Sequence, residues 1–304
     1  ISLPMDMREP VPSKSAIAAI TVTLIKPLMI LWHGCVPIPT NWINGRPGIC
    51  GFTTCSVCRS PSLLCFILTH FLGILDSAAA LQDGGVDGIL FANEFSLPYQ
   101  PVADIATIST MAYIIGSLKS EIKIPYGVNV VKNPIATIEL GAATGAKFGR
   151  SCFSGAYMGE YGLYASNSGE AVRKRKALEI QDFKLLFKVN PEADTYLVHR
   201  DVKVVAKSIM FGGFADGLCV SGAAAGSEPD DSILAQVYSV AKPNGVPVFC
   251  NTGCKHENVR QKLELCDAVC MGTAFKTDGR LTGHVEKDRV TSFMDIVADI
   301  RAGH

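Results

Sequence analysis

Charge of one sign is missing from this chain. Its 304 residues carry 28 Lys plus Arg against 28 Asp plus Glu, a formal net charge of zero. Without a basic excess there is no electrostatic footprint for nucleic acid, and without an acidic excess there is no solvating tail. An uninterrupted apolar stretch of membrane-spanning length is also lacking. Residues 16–31 are broken by Lys26 and Pro27, and residues 62–81 contain Thr69, His70, Gly73 and Asp76 before stopping at Gln82-Asp83-Gly84-Gly85. The second run reads as a buried helix rather than an integral span. There is no HxH, HExxH or Asp-x-Asp spacing for a metal, and no GxSxG elbow, Walker loop or GxGxxG turn. No metal and no cofactor is expected. The eleven cysteines are an odd number, which argues against a disulfide framework. Cys152, Cys219, Cys250, Cys254, Cys266 and Cys270 lie in or beside apolar runs and read as buried, reduced thiols. These features predict a cytoplasmic location, with peripheral membrane association and homo-oligomer formation left open.

What is present is a regular alternation from Gly84 onward. Short apolar, β-branched runs at 86–92, 125–131, 146–152, 184–189, 215–220, 247–250 and 268–271 read as strands. Segments of helical period lie between and after them, at 102–122, 134–144, 169–179, 201–211, 230–241, 257–265 and 289–302. At the front, 25–32 supplies one more strand and 63–82 the helix after it. Eight strands alternating with eight helices predict a (β/α)8 barrel in preference to an open doubly wound sheet. Gly85-Val-Asp-Gly, Gly145-Ala-Lys-Phe, Phe214-Ala-Asp-Gly and Cys266-Asp-Ala-Val repeat one theme, a helix end followed by entry into the next strand. The domain reading is an N-terminal extension at 1–24 and a single barrel over 25–304. Within that barrel, 35–62 is an irregular, atypical segment. It holds Cys55-Ser-Val-Cys58 but no second ligand pair, so a zinc knuckle is disfavoured against a plain loop.

In such a barrel the strand C-termini converge on one mouth. Those ends are His33, Asn93-Glu94, Asn129, Arg150, Asn190 with Glu192, Ser221, Asn251-Thr252 and Thr273. Cys250-Asn-Thr-Gly253 and Met271-Gly-Thr-Ala274 are glycine turns where the last two strands end. Thr252, Gly253, Gly272 and Thr273 are therefore the expected phosphate cradle, since glycine lets backbone N–H groups approach an anion. Glu94 suits an acid or base in a partly apolar mouth, or else a salt bridge with Arg150. The Arg150 guanidinium suits a carboxylate or phosphate. Lys276 could reach an anion, while Asp278 is ordinary turn chemistry. His33 is either a ligand contact or a core histidine, and His199 and His256 are expected to face solvent.

Several stretches resemble the BtpA/SgcQ family of barrel proteins. They are Leu81-Gln-Asp-Gly-Gly-Val-Asp-Gly-Ile-Leu-Phe-Ala-Asn-Glu-Phe-Ser-Leu-Pro-Tyr99, Pro125-Tyr-Gly-Val-Asn-Val130, Val220-Ser-Gly-Ala-Ala-Ala-Gly-Ser-Glu-Pro229, Phe249-Cys-Asn-Thr-Gly253 and Thr273-Ala-Phe-Lys-Thr-Asp-Gly279. The Asn-Glu-Phe-Ser-Leu-Pro-Tyr form is more similar to the SgcQ branch. The likeness spans roughly 75–301. Lys26-Pro-Leu-Met-Ile-Leu-Trp-His33 resembles the family's first strand, whereas 34–73 does not resemble its loop and first helix. The resemblance implies a TIM-type, ribulose-phosphate-binding-like barrel. It also implies a link to sugar metabolism on the SgcQ side, and on the cyanobacterial side to photosystem I accumulation through a peripheral thylakoid factor. Two function classes are then open. One is an enzyme acting on a small phosphorylated metabolite (a sugar or nucleoside phosphate) by lyase, isomerase or glycosidic-bond-cleaving chemistry. In it Glu94, Asn129 and Arg150 are catalytic, and His33, Asn93, Asn190, Ser221, Glu228, Asn251 and Lys276 bind substrate. The other is a non-enzymatic assembly or stability factor using the barrel as a scaffold.

Overall fold

The computed structural model describes residues 15–21, 63–224, 226–280 and 283–303, with side chains from residue 73 onward. The elements are β1 (Ser15–Thr21), α1 (Leu63–Asp83), β2 (Gly88–Ala92), α2 (Ile105–Leu118), β3 (Tyr126–Asn129), α3 (Pro134–Thr144) and β4 (Phe148–Ser151). A hairpin of β5 (Gly155–Gly159) and β6 (Gly162–Ser166) interrupts the alternation. It resumes with α4 (Ser168–Ala177), β7 (Lys184–Lys188), a short β8 (Asp194–Tyr196), α5 (Val202–Gly213) and β9 (Gly217–Val220). The chain ends through α6 (Asp231–Ala241), β10 (Val248–Cys250), α7 (Val259–Glu264), β11 (Ala268–Met271) and α8 (Lys287–Ala302). Eight parallel strands close into a barrel in the order β1-β2-β3-β4-β7-β9-β10-β11, and β6-β5-β8 form a separate antiparallel sheet.

The first strand corrects the sequence reading. The barrel starts at Ser15, inside the segment assigned to an N-terminal extension, and Ser15–Thr21 closes the ring by pairing Ile17 with Gly88 of β2 and with Cys270 of β11. The longer apolar run at 25–32 outweighed it in sequence, because continuous hydrophobicity is the stronger signal for a buried strand. Residues 25–32, His33 and the irregular 35–62 lie outside the described residues.

The other barrel strands read clearly because both their faces are covered. Every residue of β2, β3, β4, β9, β10 and β11 is buried, as a parallel sheet inside a helical shell requires. Leu90, Phe148, Leu186, Cys219, Phe249, Ala268 and Cys270 fill the barrel interior, and a larger layer packs strands against helices. Phe148 fits only because its neighbour is Gly127, where a Cβ would stand 2.3 Å from the Phe148 ring. The six predicted core cysteines are buried thiols.

The repeated residues before the strands have a structural use. Asp216 Oδ2 accepts from Leu185 N–H at 2.9 Å and from Arg175 at 2.7 Å, and Asp267 Oδ2 accepts from Val248 N–H at 2.9 Å. Each carboxylate satisfies an N–H at the start of the adjacent strand, at the N-terminal rim. Helix starts are fixed by Asp104, Asn133, Asn167, Asp201 and Asp230, whose side chains accept from first-turn N–H groups. Gly145 ends α3 at φ 80°, with its N–H and that of Ala146 bonded to the Gly141 carbonyl.

The small antiparallel sheet was not foreseen. Its inner face is made of Tyr157, Tyr164 and Tyr196, polar-tipped rings that break the apolar alternation by which a strand is recognised. Among the described residues no helix is long and apolar enough to cross a membrane.

Candidate functional site

A cavity of about 570 Å3 opens at the C-terminal ends of the barrel strands. Glu94 and Gly253, which the sequence reading places on one rim, both line it, as do Asn129, Arg150, Glu192, Asn251, Thr252, Gly272 and Thr273. At its floor Arg150, the third residue of β4, is buried to 5% exposure. Its Nη1 donates to Asn251 Oδ1 at 2.9 Å, and its Nη2 donates to Glu94 Oε1 at 3.2 Å. With its amide oriented to suit both neighbours, Asn129 accepts from Arg150 Nη2 at 3.2 Å and donates to the Arg150 carbonyl at 2.8 Å. The salt bridge foreseen as an alternative for Glu94 is thus formed. Tyr99 donates to the Glu94 carbonyl at 2.6 Å.

The network continues to Glu192. Its Oε1 accepts from Asn251 Nδ2 at 2.9 Å and from Ser221 Oγ at 3.1 Å, and its Oε2 accepts from Lys188 Nζ at 2.5 Å. Burial pushes the Glu192 carboxyl up, but the charges of Lys188 and Arg150 outweigh it and hold the group down at about 2. Burial likewise opposes the charge on Lys188, and Glu192 more than restores it. Beyond it, Lys132 pairs with Asp194 at 2.7 Å, both side chains being under a tenth exposed. The mouth therefore alternates cation and carboxylate: Arg150 with Glu94, Lys188 with Glu192, Lys132 with Asp194. Such a floor can orient hydroxyl, carbonyl and anionic oxygens without carrying a large charge of its own. Cys152 also lines the cavity, but burial raises its thiol to about 12, so it is no nucleophile at neutral pH.

Several predicted ligand contacts have other work. Asn190 donates to the Ser221 carbonyl at 2.6 Å and accepts from its N–H at 3.0 Å, and Asn93 accepts from Val131 N–H at 2.7 Å. Those two amides and Ser221 shape the rim and do not line the cavity. Glu228 is also off the cavity, within 3.6 Å of both Lys255 and Lys262. The Thr252 hydroxyl accepts from Gly222 N–H and donates to the Ser227 carbonyl, both at 2.7 Å, which ties the β9 and β10 loops together. Gly253 is required by that packing as well as by its φ of 70°, because a Cβ would stand 2.4 Å from Glu228 backbone. Lys276 is buried beneath the rim rather than on the cavity wall. Burial pulls its ammonium down to about 8, with the Glu94 charge opposing.

Sequence reasoning missed Lys188, Lys132, Asp194 and the tyrosines Tyr99, Tyr161 and Tyr164, all of which line the mouth. Lys188 had a usable signal. It is the last residue of β7, but running that strand on to Val189 moved attention to Asn190. His199 is exposed as expected. His256 corrects its expectation: it is half-buried on the cavity wall, and its Nε2 donates to the Arg289 carbonyl at 2.8 Å.

Fold and mouth define a (β/α)8 barrel protein with a charge-paired cavity at the C-terminal face of its strands. The chain belongs to the BtpA family, whose model matches residues 73–299. The sgc region protein SgcQ of Escherichia coli (strain K12) is 44% identical over 226 residues, covering 74% of this chain and 84% of that protein. The photosystem I biogenesis protein BtpA of Synechocystis is 30% identical over 225 residues, covering 73% and 77%. Among solved structures, geranylgeranylglyceryl phosphate synthase of Thermoplasma acidophilum, in complex with sn-glycerol-1-phosphate, superposes with a TM-score of 0.50 at 13% identity. That match covers 79% of this chain and all of the other, and it speaks to fold alone.

Proposed function

We propose that the mouth binds a small phosphorylated metabolite in the cytoplasm, with the phosphate at the turns after β10 and β11, and that the protein acts on it by proton-transfer chemistry. The observation that carries this reading is that one cavity is lined by Gly253, Gly272 and Thr273 together with Glu94, Asn129 and Arg150. The turns supply backbone N–H groups and a hydroxyl suited to an anion, and the structural neighbour's bound glycerol phosphate is consistent with such use of this fold. Glu94 then moves the proton. Its Oε1 is held by Arg150 and its Oε2 lies 3.4 Å from the Tyr99 hydroxyl, so the carboxylate is oriented before substrate arrives. Arg150 and Asn129 orient the substrate's oxygens. The reaction classes that fit are lyase, isomerase and glycosidic-bond cleavage, each of which needs at least one positioned acid or base. A thermal-stabilisation screen of phosphorylated sugars and nucleosides beside their unphosphorylated counterparts tests the reading. Stabilisation confined to phosphorylated members is expected; equal response to both sets would contradict it.

A second reading, an assembly factor like the photosystem I biogenesis relative, is favoured by one feature of the helical shell. Val204 and Phe211, seven residues apart on α5, are 50% and 68% exposed, and Phe214 beyond them is 54% exposed. Apolar side chains left open in this way suit a protein partner or a second copy. Substituting all three by serine would lower the oligomeric mass in solution under this reading and leave metabolite binding untouched.

A further inference from the structure

The cavity has two unlike halves, and the strand order sets them against each other. In a closed ring of eight with the order β1-β2-β3-β4-β7-β9-β10-β11, β2 faces β9, β3 faces β10 and β4 faces β11. The turns holding Gly226, Gly253 and Gly272 follow β9, β10 and β11. Across the mouth, Leu97 and Tyr99 follow β2, Lys132 follows β3, and Tyr161 is carried by the hairpin inserted after β4. The first side carries glycine and threonine turns together with Lys255, His256 and Arg289; the second carries Leu97 and the tyrosines Tyr99, Tyr161 and Tyr164 beside Lys132.

Tyr161 has no evident part in holding the hairpin together. That sheet is anchored by Tyr157 and Tyr164, both buried, with the Tyr157 hydroxyl donating to the Ser154 carbonyl at 2.6 Å. Tyr161 sits in the turn between the two strands, half-buried, where a small or polar residue would serve the turn better. Its ring is nonetheless fixed. Lys132 Nζ lies 4.8 Å from its centroid, and the Tyr99 ring meets it edge-on at 5.3 Å. A cavity of about 570 Å3 falls within the range of sites that hold drug-sized ligands and exceeds the need of a phosphate alone.

We propose that Leu97, Tyr99 and Tyr161 form a ring subsite, which takes the flat face of a cyclic group on the phosphorylated ligand and so selects ring-bearing phosphate esters over open-chain ones. This rests on the phosphate reading above. Aromatic faces hold both the C–H face of a sugar and the π face of a nucleobase. Between the two halves, Glu94, Asn129, Glu192 and Asn251 are placed to meet the hydroxyls of the intervening part.

Isothermal titration calorimetry tests this with glucose 6-phosphate, AMP, sn-glycerol 3-phosphate and inorganic phosphate against the wild type, Tyr161→Ala, Tyr161→Phe and Leu97→Ala. Glucose 6-phosphate or AMP should bind the wild type more tightly than glycerol 3-phosphate, and which of them does distinguishes a sugar from a base. Tyr161→Ala should weaken that ligand about tenfold, ~1.4 kcal/mol, while Tyr161→Phe keeps it and glycerol 3-phosphate is bound equally by all four proteins. Leu97→Ala should weaken the same ligand and gives an independent readout if Tyr161→Ala melts early. Ring-bearing probes that bind no better than glycerol 3-phosphate, or a variant that weakens both alike, would overturn the ring subsite and leave the phosphate reading standing. No binding of any phosphate-bearing probe to the wild type would overturn the phosphate reading, and this inference with it.

Discussion

Glu192 shows how the mouth holds charge inside the protein. Lys188, Ser221 and Asn251 all donate to it, and its carboxyl is held at about 2 against an ordinary 4.5. As pH falls the unfolded chain takes up this proton first, so the stability the group contributes is complete above pH 4.5 and is lost between there and about 2. A shift of that size corresponds to something on the order of 3 kcal/mol. Urea unfolding at pH 6 and pH 3 should therefore show a larger loss in the wild type than in Glu192→Gln. Equal losses would remove Glu192 from the account. At pH 7 the same variant should be less stable by roughly 3 kcal/mol, since Lys188 is left buried without its counter-charge. At this scale the sequence was informative about Arg150, Asn129 and Asn251, polar residues standing in or directly after the far ends of apolar runs. Beyond the Glu94–Arg150 pair, which it offered as one alternative, it was silent on who pairs with whom. Glu94, Arg150, Asn251 and Glu192 are brought together from four different strand ends, and that adjacency exists only once the barrel closes.

Among the elements, helices were legible to within a few residues because Asx caps and glycine stops mark their ends. The end of α5 departs from that pattern. Phe214 takes the left-handed position at φ 52° that Gly145 occupies after α3, and a Cβ is unfavourable there. Phe214→Gly should raise stability by ~0.5–1 kcal/mol in chemical denaturation; a loss would mean the ring has a partner. The first strand was the least legible element, because two apolar runs competed for one slot and only the pairing decides between them. Ala18 lies opposite Ile89 on one side and Met271 on the other, so it belongs to a strand with a neighbour on each flank. Ala18→Pro should remove a ladder hydrogen bond and cost roughly 3 kcal/mol or more, measured by the urea midpoint. An unchanged midpoint would return the first strand to another segment.

For the whole molecule, the division of labour between the two ends of the barrel explains why its architecture was legible and its chemistry was not. The N-terminal rim repeats one device, a carboxylate just before one strand that accepts from an N–H of the barrel strand preceding it, at Asp216 and Asp267, and repetition is what a sequence shows best. Among the described residues the C-terminal rim repeats no such device: its loops bring different residues to one cavity, and the one after β4 carries an unforeseen hairpin. The central claim is that the turns after β10 and β11 hold the ligand's phosphate. The most direct measurement is the calorimetric affinity of a phosphorylated ligand found in the screen for the wild type, Gly272→Val and Thr273→Val. The account predicts a loss of about 1–3 kcal/mol in each variant, as for a hydrogen bond to a charged group, with the unphosphorylated counterpart unaffected and the melting temperature of Thr273→Val unchanged. Wild-type affinity in both variants would show that these turns only shape the rim and that the phosphate lies elsewhere.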